Sequence, residues 1–258
     1  MLNNKDIDFY NKNGYLIISD KRLLILKKKI YLEFKIVLNK ILSLNNIDPY
    51  EGENFEKLIN YAAKFDKKYS IFSSCYDLLP GLLTVNNLSN NNLFIESAKK
   101  IGLKNPIIGS LPQIRIDRPK DKIRKTLLHQ DIWYSFLSNN SVTIWFSLVK
   151  LSNSLGPLKL YPKTHILGIQ KFKDLNKGTF SAIFNKKNLK KINAILKDDQ
   201  FIIFSQYLLH ESGNNFSSKP RISVQIRYND IQTLDKPFSS FKSITSNFVT
   251  REQIKYKI

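Results

Sequence analysis

The chain changes its hydrophobic period near residue 106, and this change constrains the fold more than any other feature. Before it, apolar residues recur at helical spacing, most clearly through residues 22–43. Beyond it, apolar and polar residues alternate with a period of two, as in residues 113–117 and 221–227. The sequence therefore predicts an α+β protein whose β-rich core follows a mainly helical part.

Individual elements follow from capping residues and turn signals. A short strand is predicted over residues 14–18, and Ser19-Asp20 offers the capping chemistry that begins a long helix. Further helices are predicted at 54–67 and 92–101, and further strands at 141–148, 158–161, 180–184 and 200–204. Short strands at irregular spacing, separated by Gly-Pro, Tyr-Pro and Lys-Pro turns, favour a sandwich or barrel over βαβ units.

The length of 258 residues and a hydrophobic content of 42% favour one compact domain. We divide it into a mainly helical part (1–105), a core (106–230) and a C-terminal tail (231–258). Cys75 is the sole cysteine, so no intrachain disulfide forms. No apolar stretch approaches the roughly 20 residues that cross a bilayer, and we expect a cytoplasmic protein.

The chain is strongly basic, with 41 Lys and Arg against 21 Asp and Glu and a net charge of +20. Such a balance favours nucleic acid, a membrane surface or an anionic substrate as partner. The alternative is a solvated lysine-rich surface. The lysine clusters are scattered along the chain and form no compact arginine-rich stripe with interleaved aromatics, so the charge is a bias and not a site.

Two of the three histidines have neighbours that indicate a metal site. In an extended His129-Gln130-Asp131 segment, both outer side chains lie on one face and bind one ion. With His210 they form the facial triad typical of non-haem Fe(II), which leaves positions open for oxygen and a cosubstrate. A lone His-x-Asp arises easily by chance, and a lone histidine is more often structural. His165 lies in a turn that contains a proline and is assigned a structural or supporting role.

Arg221 follows His210 by 11 residues on an alternating strand. The pattern places Arg221, Ser223, Gln225 and Arg227 on one face of that strand. An arginine held there grips a carboxylate with two parallel hydrogen bonds. The alternative is an ordinary amphipathic strand with solvated arginines.

These motifs together resemble the phytanoyl-CoA dioxygenase family of Fe(II)- and 2-oxoglutarate-dependent oxygenases. Residues 9–18 are similar to its opening helix and strand, and residues 156–165 to its Gly-to-Pro-Gly-Ser-His segment, with Lys163-Thr164 in place of Gly-Ser. The resemblance implies a double-stranded β-helix, the cupin-like jelly roll, with the N-terminal helices packed around it. It also implies Fe(II), with 2-oxoglutarate and O2 as cosubstrates.

The resemblance assigns roles to further residues. His129, Asp131 and His210 hold the iron, Arg221 binds the distal carboxylate of 2-oxoglutarate, and Ser212 donates a hydroxyl beside it. Gln113 and Trp145 match positions that line the cosubstrate pocket, although Trp145 is equally well a core aromatic. Related halogenases carry a small residue in place of Asp131, so its presence favours hydroxylation, with release of succinate and CO2.

The substrate is the least defined part of the prediction. We expect a small molecule, and the basic segment 115–125 raises the hypothesis that it is anionic, against the alternative of a solvated loop. A nucleic-acid dealkylating oxygenase of the same iron chemistry is a less favoured alternative. A β-barrel that binds ligands without turnover is another. The oligomeric state is not predicted.

Overall fold

A computed structural model describes residues 2–67, 70–120, 125–134, 138–176, 179–187 and 189–234. The predicted helices at 20–43, 54–67 and 92–101 are present as α2, α3 and α6, each within a few residues of its expected ends. Two further helices, α4 and α5, were not predicted, because both are short and pack against α2 and β2 rather than showing a long helical period. The helices are α1 (Asn4–Asn13), α2 (Arg22–Leu44), α3 (Phe55–Phe65), α4 (Ser70–Leu78), α5 (Leu83–Asn86) and α6 (Asn92–Lys100).

The strands form two antiparallel sheets and a separate hairpin. The larger sheet has the order β1-β8-β3-β10-β2, the smaller has the order β7-β4-β9, and β5 pairs with β6. This is the jelly-roll arrangement, with the smaller sheet facing the larger one across the site described below. The strands are β1 (Tyr15–Ser19), β2 (Pro106–Asp117), β3 (Ser141–Ser147), β4 (Leu158–Leu160), β5 (Phe172–Asn176), β6 (Thr179–Ala182), β7 (Ile192–Asn193), β8 (Gln200–Ser205), β9 (His210–Ser212) and β10 (Arg221–Asp230).

The larger sheet has an apolar outer face that packs against the helices. Phe94 of α6 stacks on Phe146 with ring centroids 5.8 Å apart, and it meets Phe201 edge-on at 5.4 Å. The Tyr228 hydroxyl donates to the carbonyl oxygen of Ser89. Burial of this face contributes hydrophobic stabilisation to the core.

The opposite, inner face of the same sheet is polar. Antiparallel pairing places Arg221 opposite Asp117, and Gln225 opposite both Gln113 and Trp145. Residues directly opposite each other project to the same side of a sheet. Polar and charged groups are thus concentrated between the two sheets, where they need partners or a ligand.

His165 joins the first helix to the segment that follows β4. Its Nε2 lies 2.9 Å from the carbonyl oxygen of Asn11. Gly14 ends α1 with a φ of 79°, and a Cβ there would lie 2.5 Å from His165 Nδ1. The close approach therefore requires glycine, and His165 performs a structural task away from the other two histidines.

The end of the core lies at Asp230, and the short 3-10 helix Ile231–Thr233 follows it. Residues 235–258, most of the predicted tail, lie outside the described residues. Within the part that the structure describes, no helix has the length and apolar character needed to cross a membrane.

Candidate active site

The three predicted metal ligands come together from three different elements. His129 forms an isolated β-bridge with His210, the first residue of β9, through backbone hydrogen bonds of 2.9 and 3.0 Å. This pairing sets the two imidazole rings 4.0 Å apart. The prediction of an extended segment from His129 to Asp131 agrees with the bridge at His129. It is wrong at Asp131, because Asp131 begins the 3-10 helix Asp131–Tyr134.

The histidines present one nitrogen each to a common point. Nδ1 of His129 lies 2.8 Å from the carbonyl oxygen of Leu127, and Nδ1 of His210 lies 2.9 Å from that of Leu208. These contacts make Nδ1 the donor and leave Nε2 as the ligand atom. One ligand atom from each of His129, Asp131 and His210 lies within 4.8 Å of the others, and all three residues are buried.

Asp131 completes this cluster through one oxygen. Its Oδ2 accepts a short hydrogen bond from the Thr143 hydroxyl, whereas its buried Oδ1 has no hydrogen-bond partner. Oδ1 lies 3.5 Å from His129 Nε2, 3.7 Å from His210 Nε2 and 3.5 Å from Arg227 Nη2. A buried carboxylate oxygen with a free lone pair among such groups is suited to a cation.

The protonation states also suit a cation. Burial raises the pKa of Asp131, but the nearby Arg227, His210 and His129 outweigh it and hold that pKa well below its usual range. Burial, together with the neighbouring His129, lowers the pKa of His210 to about 3. An ionised carboxylate and a neutral imidazole are the forms that bind a metal.

Arg221 grips a carboxylate, but the carboxylate is a residue of the chain. Its Nη2 lies 2.5 Å from Asp117 Oδ2, and its Nη1 donates to the carbonyl oxygen of Gly156. The other oxygen of Asp117 accepts from Arg115 at 3.1 Å. Burial raises the pKa of Asp117, but Arg221 and Arg115 outweigh it and lower that pKa.

The remaining predicted residues surround these groups. The guanidinium of Arg221 lies 5.9 Å from the centre of the Trp145 ring, which is fully buried. Trp145 is thus both a core aromatic and a neighbour of Arg221 on the inner face. The Gln113 side-chain oxygen accepts from Arg227 at 3.1 Å. Ser212 is buried on β9, two residues beyond His210.

Several residues of this site were missed from the sequence. Asp117, Thr143 and Tyr134 were not selected, and Arg227 was recognised only as a member of the polar face. The signal that identifies Thr143 and Asp117 is cross-strand register, which places Thr143 opposite Arg227 and Asp117 opposite Arg221. Register is set by pairing and is not readable from one strand alone.

The basic segment 115–125 differs from the solvated loop considered above. Arg115 pairs with Asp117 on the inner face, and Arg118 is buried with its Nη1 3.7 Å from Asp66. Lys120 is exposed, whereas residues 121–124 lie outside the described residues. The first cations of this segment therefore belong to the interior, because the strand extends through Asp117.

A jelly roll with a buried His-Asp-His cluster between its sheets defines a class, the non-haem iron oxygenases. Comparison with known proteins agrees. Residues 109–223 match the family model of phytanoyl-CoA dioxygenase (PhyH). The chain is 23% identical over 273 residues to the peroxisomal phytanoyl-CoA dioxygenase of Bos taurus. The alignment covers 96% of this chain and 75% of that protein.

Solved structures show the same fold. The epimerase SnoN in complex with Fe3+, alpha-ketoglutarate and nogalamycin RO is similar with a TM-score of 0.58 at 15% identity, over 93% of this chain and 91% of that chain. EctD from S. alaskensis with 2-oxoglutarate and 5-hydroxyectoine is similar with a TM-score of 0.51 at 13% identity, over 92% and 79%.

Residues 109–223 of the chain thus resemble the phytanoyl-CoA dioxygenase family, as the sequence motifs predicted. The predicted α+β jelly-roll fold and the predicted class of enzyme, a non-haem iron dioxygenase, are confirmed. The cluster of His129, Asp131 and His210 fits the expected iron, and both of these similar structures hold 2-oxoglutarate, which one of them names alpha-ketoglutarate.

Proposed function

We propose that this enzyme hydroxylates a small organic molecule and releases succinate and CO2, with His129, Asp131 and His210 as the iron ligands. The observation that carries the proposal is the state of the three ligand atoms. Both Nδ1 atoms are engaged by backbone carbonyls, while Asp131 Oδ1 is buried without a hydrogen-bond partner. The three atoms that remain face one another within 4.8 Å.

The donor set fits a divalent first-row metal. Two imidazoles and one carboxylate occupy one side of an ion and leave the other side for ligands that react. When bound, Fe(II) supplies the capacity to activate O2 for oxidation of a C–H bond. Thr143 orients the Asp131 carboxylate through Oδ2, and Leu127 and Leu208 fix the imidazoles. The chain thus preorganises its ligands before the metal arrives.

The cavity also has groups that fit a dicarboxylate cosubstrate. Arg221 Nε and the Ser223 hydroxyl are buried, share one strand face and have no hydrogen-bond partner. Unpaired buried donors are costly unless a ligand satisfies them. Arg221 would bind the distal carboxylate over the face of Trp145, with the Ser212 hydroxyl as a further donor. Asp117 would then share Arg221 with the cosubstrate and remain paired with Arg115.

An aromatic wall beside the metal ligands supports an organic substrate. Tyr134 packs edge-on to His129 with ring centroids 5.5 Å apart. Phe180 of β6 lies 5.1 Å from Tyr134, and Phe172 of β5 lies 4.8 Å from Phe180. The β5–β6 hairpin therefore provides apolar surface next to the reacting centre, as ligand pockets commonly do.

A titration of the full chain tests the proposed function. Under anaerobic conditions, Fe(II) and 2-oxoglutarate together should produce a metal-to-ligand charge-transfer absorption band. In air, the same sample should release succinate. Asp131→Ala and His210→Ala should abolish both signals without unfolding the protein, because each removes one of three metal ligands. His165→Gln, a change in the third histidine, is the matched control and should keep both. Absence of the band in the wild type would contradict the proposal.

A further inference from the structure

Arg227 is a cation immediately beside the metal-binding cluster, and its side chain is only 13% exposed. Its Nη2 lies 3.5 Å from Asp131 Oδ1, the oxygen that faces both histidines. The pairing of β10 with β2 is irregular at this residue, and such irregularities re-aim side chains toward sites. Arg227 was no part of the predicted cosubstrate site.

The hydrogen-bond partners of Arg227 are neutral. Nη1 donates to Gln113 Oε1 at 3.1 Å and Nη2 donates to Gln225 Oε1 at 2.7 Å, while Nε is buried without a partner. A guanidinium has five N–H donors, so this one retains capacity for another acceptor. The glutamines hold the side chain in place, and the carboxylate nearest to its charge is Asp131.

A metal ion changes the balance around Arg227. Once a divalent cation binds Asp131 Oδ1, the carboxylate nearest to Arg227 is shared with that cation. Guanidinium and metal then repel each other at short range in a poorly screened interior. An arginine is favourable in that position only if an anion accompanies the loaded site.

The positive and negative side chains of the inner face do not balance. Among the described residues of this face, Arg115, Arg221 and Arg227 oppose Asp117 and Asp131, which leaves one positive charge in surplus. A divalent metal and the dianion of 2-oxoglutarate cancel each other and leave that surplus unchanged. Asp117 and the distal carboxylate of 2-oxoglutarate, as proposed above, together balance Arg115 and Arg221, so the surplus of the loaded site lies at the metal end, on Arg227.

We propose that Arg227 binds a carboxylate of the substrate, so that the substrate is a small organic acid whose acid group lies close to the C–H bond that is oxidised. One surplus charge matches a singly charged carboxylate better than a phosphate dianion. The bidentate geometry of the guanidinium also suits a carboxylate. This inference rests on the proposed function and assigns its substrate class.

The test uses the full chain with Fe(II) and 2-oxoglutarate, and a panel of straight-chain and phenyl-substituted monocarboxylic acids, each paired with its primary amide. Succinate release in air reports turnover, and perturbation of the anaerobic charge-transfer band reports binding. Acids should stimulate wild-type turnover and their amides should not. Arg227→Gln should raise the Michaelis constant for an active acid by about 10–100-fold, the loss expected for a charge-assisted contact. Arg227→Lys, which keeps the charge, should fall between.

The control variant is Arg22→Gln, which removes an exposed arginine of α2 and should leave the response to acids unchanged.

Other outcomes would show that Arg227 has a different role. In Arg227→Gln, a weaker Fe(II) affinity would make Arg227 a positioning residue for Asp131, and a weaker 2-oxoglutarate affinity would place it on the cosubstrate; either result overturns the proposal. The proposal is also overturned if the wild-type protein forms the band but responds to amides as strongly as to acids, or responds to no acid. A wild type without the band contradicts the proposed function itself.

Discussion

The two faces of β10 are both largely buried but differ completely in chemistry. Ile222, Val224 and Ile226 lie on the outer face and are fully buried against apolar neighbours. Arg221 and Ser223 lie on the inner face and are also almost fully buried. Apolar burial stabilises a fold, whereas burial of charge costs free energy unless each group is paired.

This difference separates what holds the protein together from what the protein does. The outer face needs only apolar residues of suitable volume, because dispersion and the hydrophobic effect are not directional. The inner face needs particular residues at particular registers, since each guanidinium and carboxylate requires a partner at hydrogen-bond distance. Substitutions on the two faces should therefore affect different measurements.

The largest expected effect on stability comes from the outer face. Ile226→Ala should lower the free energy of unfolding by about 2–5 kcal/mol, because it removes buried methyl groups and leaves a cavity. Urea denaturation of the metal-free protein measures this loss. The folded variant should bind 2-oxoglutarate in the presence of Fe(II) with wild-type affinity. A variant that loses affinity while folded would break the separation between the two faces.

A somewhat smaller effect is expected for Arg221 on the inner face, the arginine that we propose binds 2-oxoglutarate. Arg221→Lys keeps the positive charge but loses the planar fork, so 2-oxoglutarate affinity should fall by about 10–100-fold, as for loss of one charge-assisted hydrogen bond. Titration of the anaerobic charge-transfer band gives this affinity directly. Ile226→Ala, on the other face of the same strand, serves as control. Unchanged affinity in Arg221→Lys would mean that Arg221 serves Asp117 and Gly156 alone.

The difference between the faces of β10 was predictable from sequence, because the period of two in residues 221–227 follows directly from strand geometry. Helix α2 was predictable for the corresponding reason, since its apolar residues keep the helical period over many turns. Helix α4 was not, because the apolar pattern of a helix of 9 residues is too short to distinguish from a loop.

The site was only partly predictable for a different physical reason. His129, Asp131 and His210 were selected by residue type and spacing, and the structure brings them together. The partners Asp117 and Thr143 depend on which residue of a neighbouring strand lies opposite, and that register arises from pairing over the whole sheet. Chemistry is therefore readable from single residues, whereas the contacts that tune it are not.

The smallest expected effect is a pH dependence of stability that Asp117 gives to the inner face and that the outer face lacks. The pKa of Asp117 is lowered in the folded protein because Arg221 and Arg115 outweigh the effect of burial. A carboxyl group of this kind contributes stability that is present above its unfolded pKa of about 3.9 and lost as pH falls through its folded pKa. Asp117→Asn lacks this contribution at every pH.

The free energy of unfolding of Asp117→Asn should therefore be lower than that of the wild type by a constant amount above about pH 5. Below about pH 4 the gap should close by at most about 1.4 kcal/mol per pH unit, as Asp117 becomes protonated in the wild type. Urea denaturation across this range measures the gap. The corresponding gap for Ile226→Ala should not change with pH, because lost apolar burial involves no proton. A gap for Asp117→Asn that is equally insensitive to acid would show that Asp117 acts through packing, and the electrostatic account of the inner face would then be wrong.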